Sequence, residues 1–188
     1  GDEIISTNDL YGGSYRLFTK VYEDFGLKFH FIGMENADKV QQYVNENTRL
    51  IWVETPTNPM MNIIDIKAMA GVAKANNILL AVDNTFATPL NQRPLELGAD
   101  VSMHSATKFI GGHSDLLMGH VASRDAQIME RVEENQRATS DSAFNRMQLS
   151  TCRFGIKDSR ITCAERPRIK SLESVGKNFG DEGKDTKS

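Results

Sequence analysis

Cysteine and tryptophan are scarce in this 188-residue chain, and no stretch of it is apolar for long. The two cysteines, Cys152 and Cys163, match no zinc or redox spacing and cannot build a disulfide framework, so a reducing, cytoplasmic setting is expected. No apolar run approaches the roughly 20 residues that span a bilayer, and no secretory signal opens the sequence. Positive charge is not in excess either. The net charge of −3 excludes a global attraction to nucleic acid or to anionic membrane. Three motifs are missing as well: the G-x-x-x-x-G-K-[ST] phosphate loop, the G-x-G-x-x-G dinucleotide turn and the G-x-S-x-G nucleophile elbow. Their absence argues against nucleotide-binding and serine-hydrolase readings. His104, His113 and Asp115 stand at a spacing that fits no common metal site. The chain starts at Gly1 rather than at a methionine and runs at once into β-prone Glu3 to Thr7, so a longer natural beginning is expected.

What is present is an alternation of strand-like and helix-like segments. Leu50-Ile51-Trp52-Val53 and Ile78 to Val82 are continuous apolar runs, as expected of strands covered on both faces. Strands are also expected at Ile4 to Thr7, Leu27 to Ile32, Ala99 to Met103 and Leu116 to Ala122. Between them, Asn36 to Asn47 and Asp65 to Asn76 read as helices, and Asp125 is placed to cap another that reaches about Arg137. Ser14 is placed to cap a helix bearing Tyr15, Phe18, Val21, Tyr22 and Phe25 as a buried stripe. Such a rhythm predicts an α/β fold, a mostly parallel sheet covered by helices, with ligands at the carboxyl ends of the strands. The loops richest in reactive side chains, Glu54 to Pro59, Asp83 to Phe86 and His104 to Lys108, all fall at that end.

Four clusters carry candidate chemistry. In Ser105-Ala106-Thr107-Lys108 a lysine follows an apolar strand. A lone lysine is ordinarily a solvated charge, but in a partly desolvated crevice its amine can form Schiff bases, with Ser105 and Thr107 as hydroxyl partners for a phosphate. Asp83, ordinarily a turn former at such a position, is also a carboxylate facing the ligand crevice. In Glu54-Thr55-Pro56-Thr57-Asn58-Pro59 the two prolines stiffen a loop, and Asn58 is placed to hydrogen-bond a ring substituent. In Asp9-Leu10-Tyr11-Gly12-Gly13, Tyr11 offers an aromatic face and the glycines a tight turn.

Taken together and in this order, these clusters resemble the Cys/Met-metabolism enzymes dependent on pyridoxal 5′-phosphate (PLP), such as cystathionine γ-synthase and cystathionine γ-lyase. Gln92-Arg93-Pro94-Leu95 and Gly111-Gly112-His113-Ser114-Asp115 add to the likeness, which runs from Gly1 to about Arg137. The resemblance implies a fold type I PLP-dependent transferase domain, like that of aspartate aminotransferase. It implies that Lys108 bonds the cofactor and shuttles protons, that Asp83 pairs with the pyridinium nitrogen, and that Tyr11 stacks on the ring and acts in acid–base steps. Ser105 and Thr107 would hold the phosphate, and Asn58 the ring hydroxyl oxygen. The implied reaction is γ-elimination or γ-replacement on a small amino acid, cystathionine or an O-acyl-homoserine, in a homo-oligomer that is a tetramer in the family.

The likeness also defines departures. The family's Tyr-x-Arg phosphate clamp and its C-terminal carboxylate-binding arginine have no counterpart here. The expected organisation is therefore a partial PLP-binding domain over 1–140 and a divergent, poorly ordered tail over 141–188, for which a reading-frame change is one explanation. Charge shifts at that boundary, from 12 basic and 18 acidic residues before it to 10 and 7 after it. Leu90-Asn91 replaces an aromatic pair, and His120 a small or apolar residue. Weak activity of the chain by itself is expected, and a non-catalytic remnant that binds PLP or a full-length relative is the alternative.

Overall fold

The computed structural model describes residues 1–115, 117–139 and 150–151. Its middle layer is one sheet of seven strands: β1 (Glu3–Thr7), β2 (Lys28–Ile32), β3 (Thr48–Glu54), β4 (Leu79–Asp83), β5 (Val101–Ser105), β6 (Gly119–Ser123) and the two-residue β7 (Ser150–Thr151). Their spatial order is β2-β1-β3-β4-β5-β6-β7. The first five strands are mutually parallel, β6 runs antiparallel to β5, and β7 is parallel to β6. The chain moves outward from β1 to β2, crosses back to β3, and then proceeds the other way. The loops after β1 and β3 therefore diverge at a topological switch point, where sheets of this kind open a ligand crevice.

The helices follow from caps and apolar spacing. In α2 (Ala37–Tyr43) the Asn36 side chain accepts from Lys39 N at 2.9 Å. In α3 (Ile66–Ala75) Asp65 accepts from Ala68 N at 3.1 Å. Each satisfies an amide that the first helical turn leaves open. Helix α3 buries Ile66, Met69, Val72 and Ala73, one helical stripe, and these join Val40 of α2 against Ile5, Ile51, Val53, Leu80 and Val82. Those strand residues alternate along the pleat and share one face of the sheet. Truncating Met69, which is fully buried, removes about 2–5 kcal/mol from this layer.

The opposite face is aromatic. Here α1 (Gly12–Leu17) continues into a π-helical turn, Phe18–Tyr22. Phe18 stacks on Phe29 at 4.8 Å and meets Trp52 edge-on at 5.5 Å, while Tyr15 lies 4.9 Å from Phe31. Two expectations need correction in this region. The helix begins at Gly12 with no side-chain cap, so Ser14 sits inside it rather than at its start. The aromatic stripe is only partly covered: Phe18 is buried, whereas Val21, Tyr22 and above all Phe25 (79% exposed) face outward. The widened π turn shifts the helical phase after Phe18, so the later members no longer point at the sheet.

Elsewhere boundaries move by a few residues. Helix α2 ends at Tyr43 because Val44 turns extended, short of the expected Asn47. Strand β6 starts at Gly119. A short helix α4 (Thr88–Asn91) and a 3-10 turn, Pro94–Glu96, fill the β4–β5 crossover. Asp125 accepts from Gln127 N at 2.7 Å and so caps α5 (Ala126–Thr139), as expected. Apart from Ser150–Thr151, the expected divergent tail over 141–188, with Cys152 and Cys163, lies outside the described residues. Among the described residues no helix is long and apolar enough to cross a membrane.

Candidate active site

Four neighbouring strands, β1, β3, β4 and β5, end side by side, and each delivers one of the predicted clusters. Asp83 is the last residue of β4, in register with Glu54 of β3 and Met103 of β5. It is 5% exposed. Its carboxylate accepts from the Thr85 amide at 3.0 Å and from the Thr85 hydroxyl at 2.5 Å. Burial pushes the Asp83 carboxyl upward, and the Thr85 bonds oppose that shift. The same Thr85 hydroxyl accepts from Ser105 N at 2.8 Å. One threonine thereby ties the acid of β4 to the hydroxyl-bearing end of β5.

Lys108 follows three residues after Ser105, in a tight turn. Its amide donates to Ser105 O at 3.0 Å, and its carbonyl accepts from Gly112 N at 2.9 Å. The expectation of partial desolvation is not met within the described residues, where Lys108 is exposed. Thr107 is engaged within the chain. Its hydroxyl accepts from Met118 N at 2.9 Å and donates to Met118 O at 3.3 Å, so it closes the Lys108 loop where it meets β6. The Ser105 hydroxyl stands at the end of β5, half-buried.

Tyr11 begins α1 and is 52% exposed. Its ring folds back over Gly13, where a Cβ would approach the ring carbon Cε1 to 2.3 Å. Tyr11 N donates to the Glu54 carboxylate at 2.8 Å. Beside this bond, Thr57 Oγ1 and Met60 N both donate to Asp9, the latter at 3.1 Å. The Tyr11 turn and the Asn58 loop are thus joined by two carboxylates across the switch point. Asn58 itself is half-buried, next to the anchored Thr57.

Several supporting residues escaped the sequence reading. Glu54 is 4% exposed, and its carboxyl is raised to about 7, first by burial and then by the nearby Asp83 and Asp9 charges, against the lowering effect of the Tyr11 amide. Asn84, fully buried, donates to Gln92 O at 2.8 Å and accepts from Gln92 Nε2 at 2.8 Å, and that same amide nitrogen also donates to Thr55 O at 3.0 Å. Gln92 therefore bolts the loops after β3 and β4 together. The available signals were a charged residue closing an apolar strand and the position of Gln92 within a quoted motif.

The site offers a buried acid whose carboxylate accepts from the neutral amide and hydroxyl of Thr85, two further carboxylates nearby, a primary amine one turn beyond the adjacent strand, and an aromatic ring. A buried carboxylate of this kind is relieved by a cationic partner such as a protonated heteroaromatic nitrogen. The three carboxylates do not amount to a metal-binding group among the described residues. On the far side of β5, His104 and His120 form a directly opposed cross-strand pair with ring centres 5.8 Å apart. Burial first, and then the neighbouring His120, hold His104 down to about 4; burial lowers His120 as well.

Comparison with known proteins gives one consistent result. The family described as Cys/Met metabolism PLP-dependent enzyme matches residues 1–157. A cystathionine gamma-synthase/O-acetylhomoserine (thiol)-lyase of Bacillus subtilis is 49% identical over 138 residues, which are 73% of this chain and 37% of the relative. A cystathionine gamma-lyase of Dictyostelium discoideum is 46% identical over 133 residues, 71% of this chain and 34% of the relative. The crystal structure of cystathionine gamma-lyase from Lactobacillus plantarum complexed with L-serine superposes with a TM-score of 0.73 at 38% identity, covering 78% of this chain and 39% of that one. The chain thus spans little more than a third of the length of these relatives.

Proposed function

Because this chain belongs to the Cys/Met metabolism PLP-dependent enzyme family and carries the fold of its PLP-binding domain, we propose that it serves PLP-dependent cleavage or formation of carbon–sulfur bonds. The substrates would be small amino acids, cystathionine or an O-acyl-homoserine. The observation that carries this reading is the junction of buried Asp83 with the Ser105–Lys108 turn through the Thr85 hydroxyl. The acid, the amine and the hydroxyls are the donor set that the cofactor's ring nitrogen, aldehyde and phosphate call for.

When bound, PLP supplies an electron sink for negative charge at the substrate α-carbon. The rest falls to the chain. Asp83 would hold the proton on the ring nitrogen, and the two Thr85 bonds fix the carboxylate for that task. The Lys108 amine would be the residue that holds the cofactor's aldehyde end and would move a proton at the substrate α-carbon. Tyr11 would cover the ring and exchange protons at its hydroxyl, while Asn58 would orient the ring oxygen and Ser105 with Thr107 the phosphate end. In this reading Thr107 contributes through the loop it closes, and its hydroxyl hydrogen, on Met118 O at 3.3 Å here, would turn to donate to the phosphate. A homo-oligomer would supply the cover that Lys108 lacks here, and a cytoplasmic setting suits the chemistry.

Hydride trapping tests this reading. With added PLP, borohydride reduction and peptide mass spectrometry should place a pyridoxyl group on Lys108, with none in Lys108→Ala. A pyridoxyl group on another residue, or none at saturating cofactor, would overturn the assignment. Turnover of cystathionine against O-acyl-homoserine then separates elimination from replacement.

A further inference from the structure

Glu54 stands where a carboxylate is expensive. It lies at the buried end of β3, in register with Asp83, and the Asp9 charge also bears on it. A strand end that needed only a polar terminus would be served by a threonine or an asparagine, without charge beside charge. What Glu54 has instead is one bond to a distant backbone: its Oε2 accepts Tyr11 N at 2.8 Å, across 43 residues of sequence. That amide is the first donor of α1, whose start has no other side-chain cap. Glu54 therefore caps α1 from another strand, at the residue whose ring lies over Gly13, and a carboxylate is favoured there by the helix dipole.

We propose that Glu54 is a positioning residue that sets the place of the Tyr11 ring and, in its ionised form, adds a second negative charge beside Asp83. This rests on the PLP reading above for its purpose, though not for its geometry. Glu54 acts through Tyr11 and Asp83 and need not touch the cofactor. The Asp9 carboxylate, which accepts from Thr57 Oγ1 and Met60 N, ties the residues before Tyr11 to the loop after β3, while Glu54 holds the Tyr11 amide itself. Because the Glu54 carboxyl changes charge near neutrality, the strength of its hold on the Tyr11 amide varies with pH: a carboxylate accepts more strongly than a carboxylic acid.

Amide hydrogen exchange on the chain without cofactor tests the geometry, using Glu54→Ala and Glu54→Gln. In the unsubstituted chain the protection factor of the Tyr11 amide should rise as pH passes upward through about 7. Glu54→Ala should lower that protection ~10-fold or more, since a bond to a charged acceptor is lost. Glu54→Gln keeps an acceptor oxygen and should show intermediate protection with no step near neutrality. A merely structural role would alter β1 and β3 amides together and leave no such step to abolish. Unchanged Tyr11 protection in Glu54→Ala, or a step that survives in Glu54→Gln, overturns the proposal. If Glu54→Ala loses protection throughout β1 and β3, Glu54→Gln alone decides. A parallel titration with PLP, read by visible absorption, should show binding weakened ~10-fold in Glu54→Ala. Failure of the unsubstituted chain to bind PLP sinks the functional reading and leaves the exchange result standing by itself.

Discussion

The Tyr11 ring lies over the α-carbon of Gly13, so close that a β-carbon there would meet Cε1 at 2.3 Å. Gly13 is thus the seat of the ring rather than a generic turn residue. The obstructed atom belongs to a half-exposed side chain that can rotate away, so Gly13→Ala should leave stability within ~0.5 kcal/mol. The ring itself should leave its position, and PLP affinity should fall about tenfold, or ~1.4 kcal/mol. Thermal unfolding and a cofactor titration on the same variant check both halves.

Thr85 is the hinge pin between Asp83 and Ser105. Thr85→Val preserves shape but strips a hydrogen bond from a buried carboxylate and leaves the Ser105 amide without its acceptor. A loss of about 2–3 kcal/mol in denaturant unfolding is expected, together with a further rise of the Asp83 carboxyl. Thr85→Ser should recover most of both. If valine is tolerated without loss, the Thr85 bridge has no energetic weight.

The reciprocal amides of Asn84 and Gln92 hold the loops after β3 and β4 in one place. Gln92→Leu should cost about 1–3 kcal/mol because it strands the polar atoms of a fully buried asparagine. Gln92→Glu should be worse near neutral pH, since it replaces a donating NH2 with a charge facing the Asn84 and Thr55 oxygens.

Stability should peak in mildly acidic solution. Glu54 is raised in the fold, so the folded state holds its proton longer than the unfolded chain does. That contribution is complete below the ordinary glutamate range and is lost as pH climbs through about 7. His104 is lowered to about 4, so the fold resists protonation, and stability falls as pH drops from the ordinary histidine value toward 4; His120 acts in the same direction. Urea unfolding from pH 4 to 9 should trace both limbs. Glu54→Gln should flatten only the alkaline limb.

Gly98 has φ +102°, and a β-carbon there would meet the Ala70 methyl of α3 at 2.9 Å. Both the strained dihedral and the rigid neighbour oppose a side chain. Gly98→Ala should therefore destabilise by about 1–3 kcal/mol, measurable as a lowered denaturant midpoint.

The sheet was legible because Leu50 to Val53 and Ile78 to Val82 are apolar without alternation, and only strands covered on both sides tolerate that. Once those strands are parallel, topology alone sends Asp83, Asn58 and the Ser105–Lys108 turn to the same end. Local pattern failed where the decisive contact is remote. Nothing near Glu54 announces that its partner is Tyr11, and nothing near Gln92 announces Thr55. The aromatic stripe misled because periodicity counts apolar residues without knowing that a π turn breaks the phase after Phe18. The exposure of Lys108 is likewise a property of what surrounds it, which its own neighbours in sequence do not encode.

The reversal of strand order at β1 has a kinetic corollary. The bonds that assemble the crevice join residues 43 (Tyr11–Glu54), 48 (Thr57–Asp9) and 20 (Thr85–Ser105) positions apart, and each spans a crossover between parallel strands. None can form in a nascent hairpin or a lone helix. The pocket should therefore be among the last parts of the chain to mature, after β1 has inserted between β2 and β3, and slow, topology-limited folding should govern how soon a cofactor can be captured.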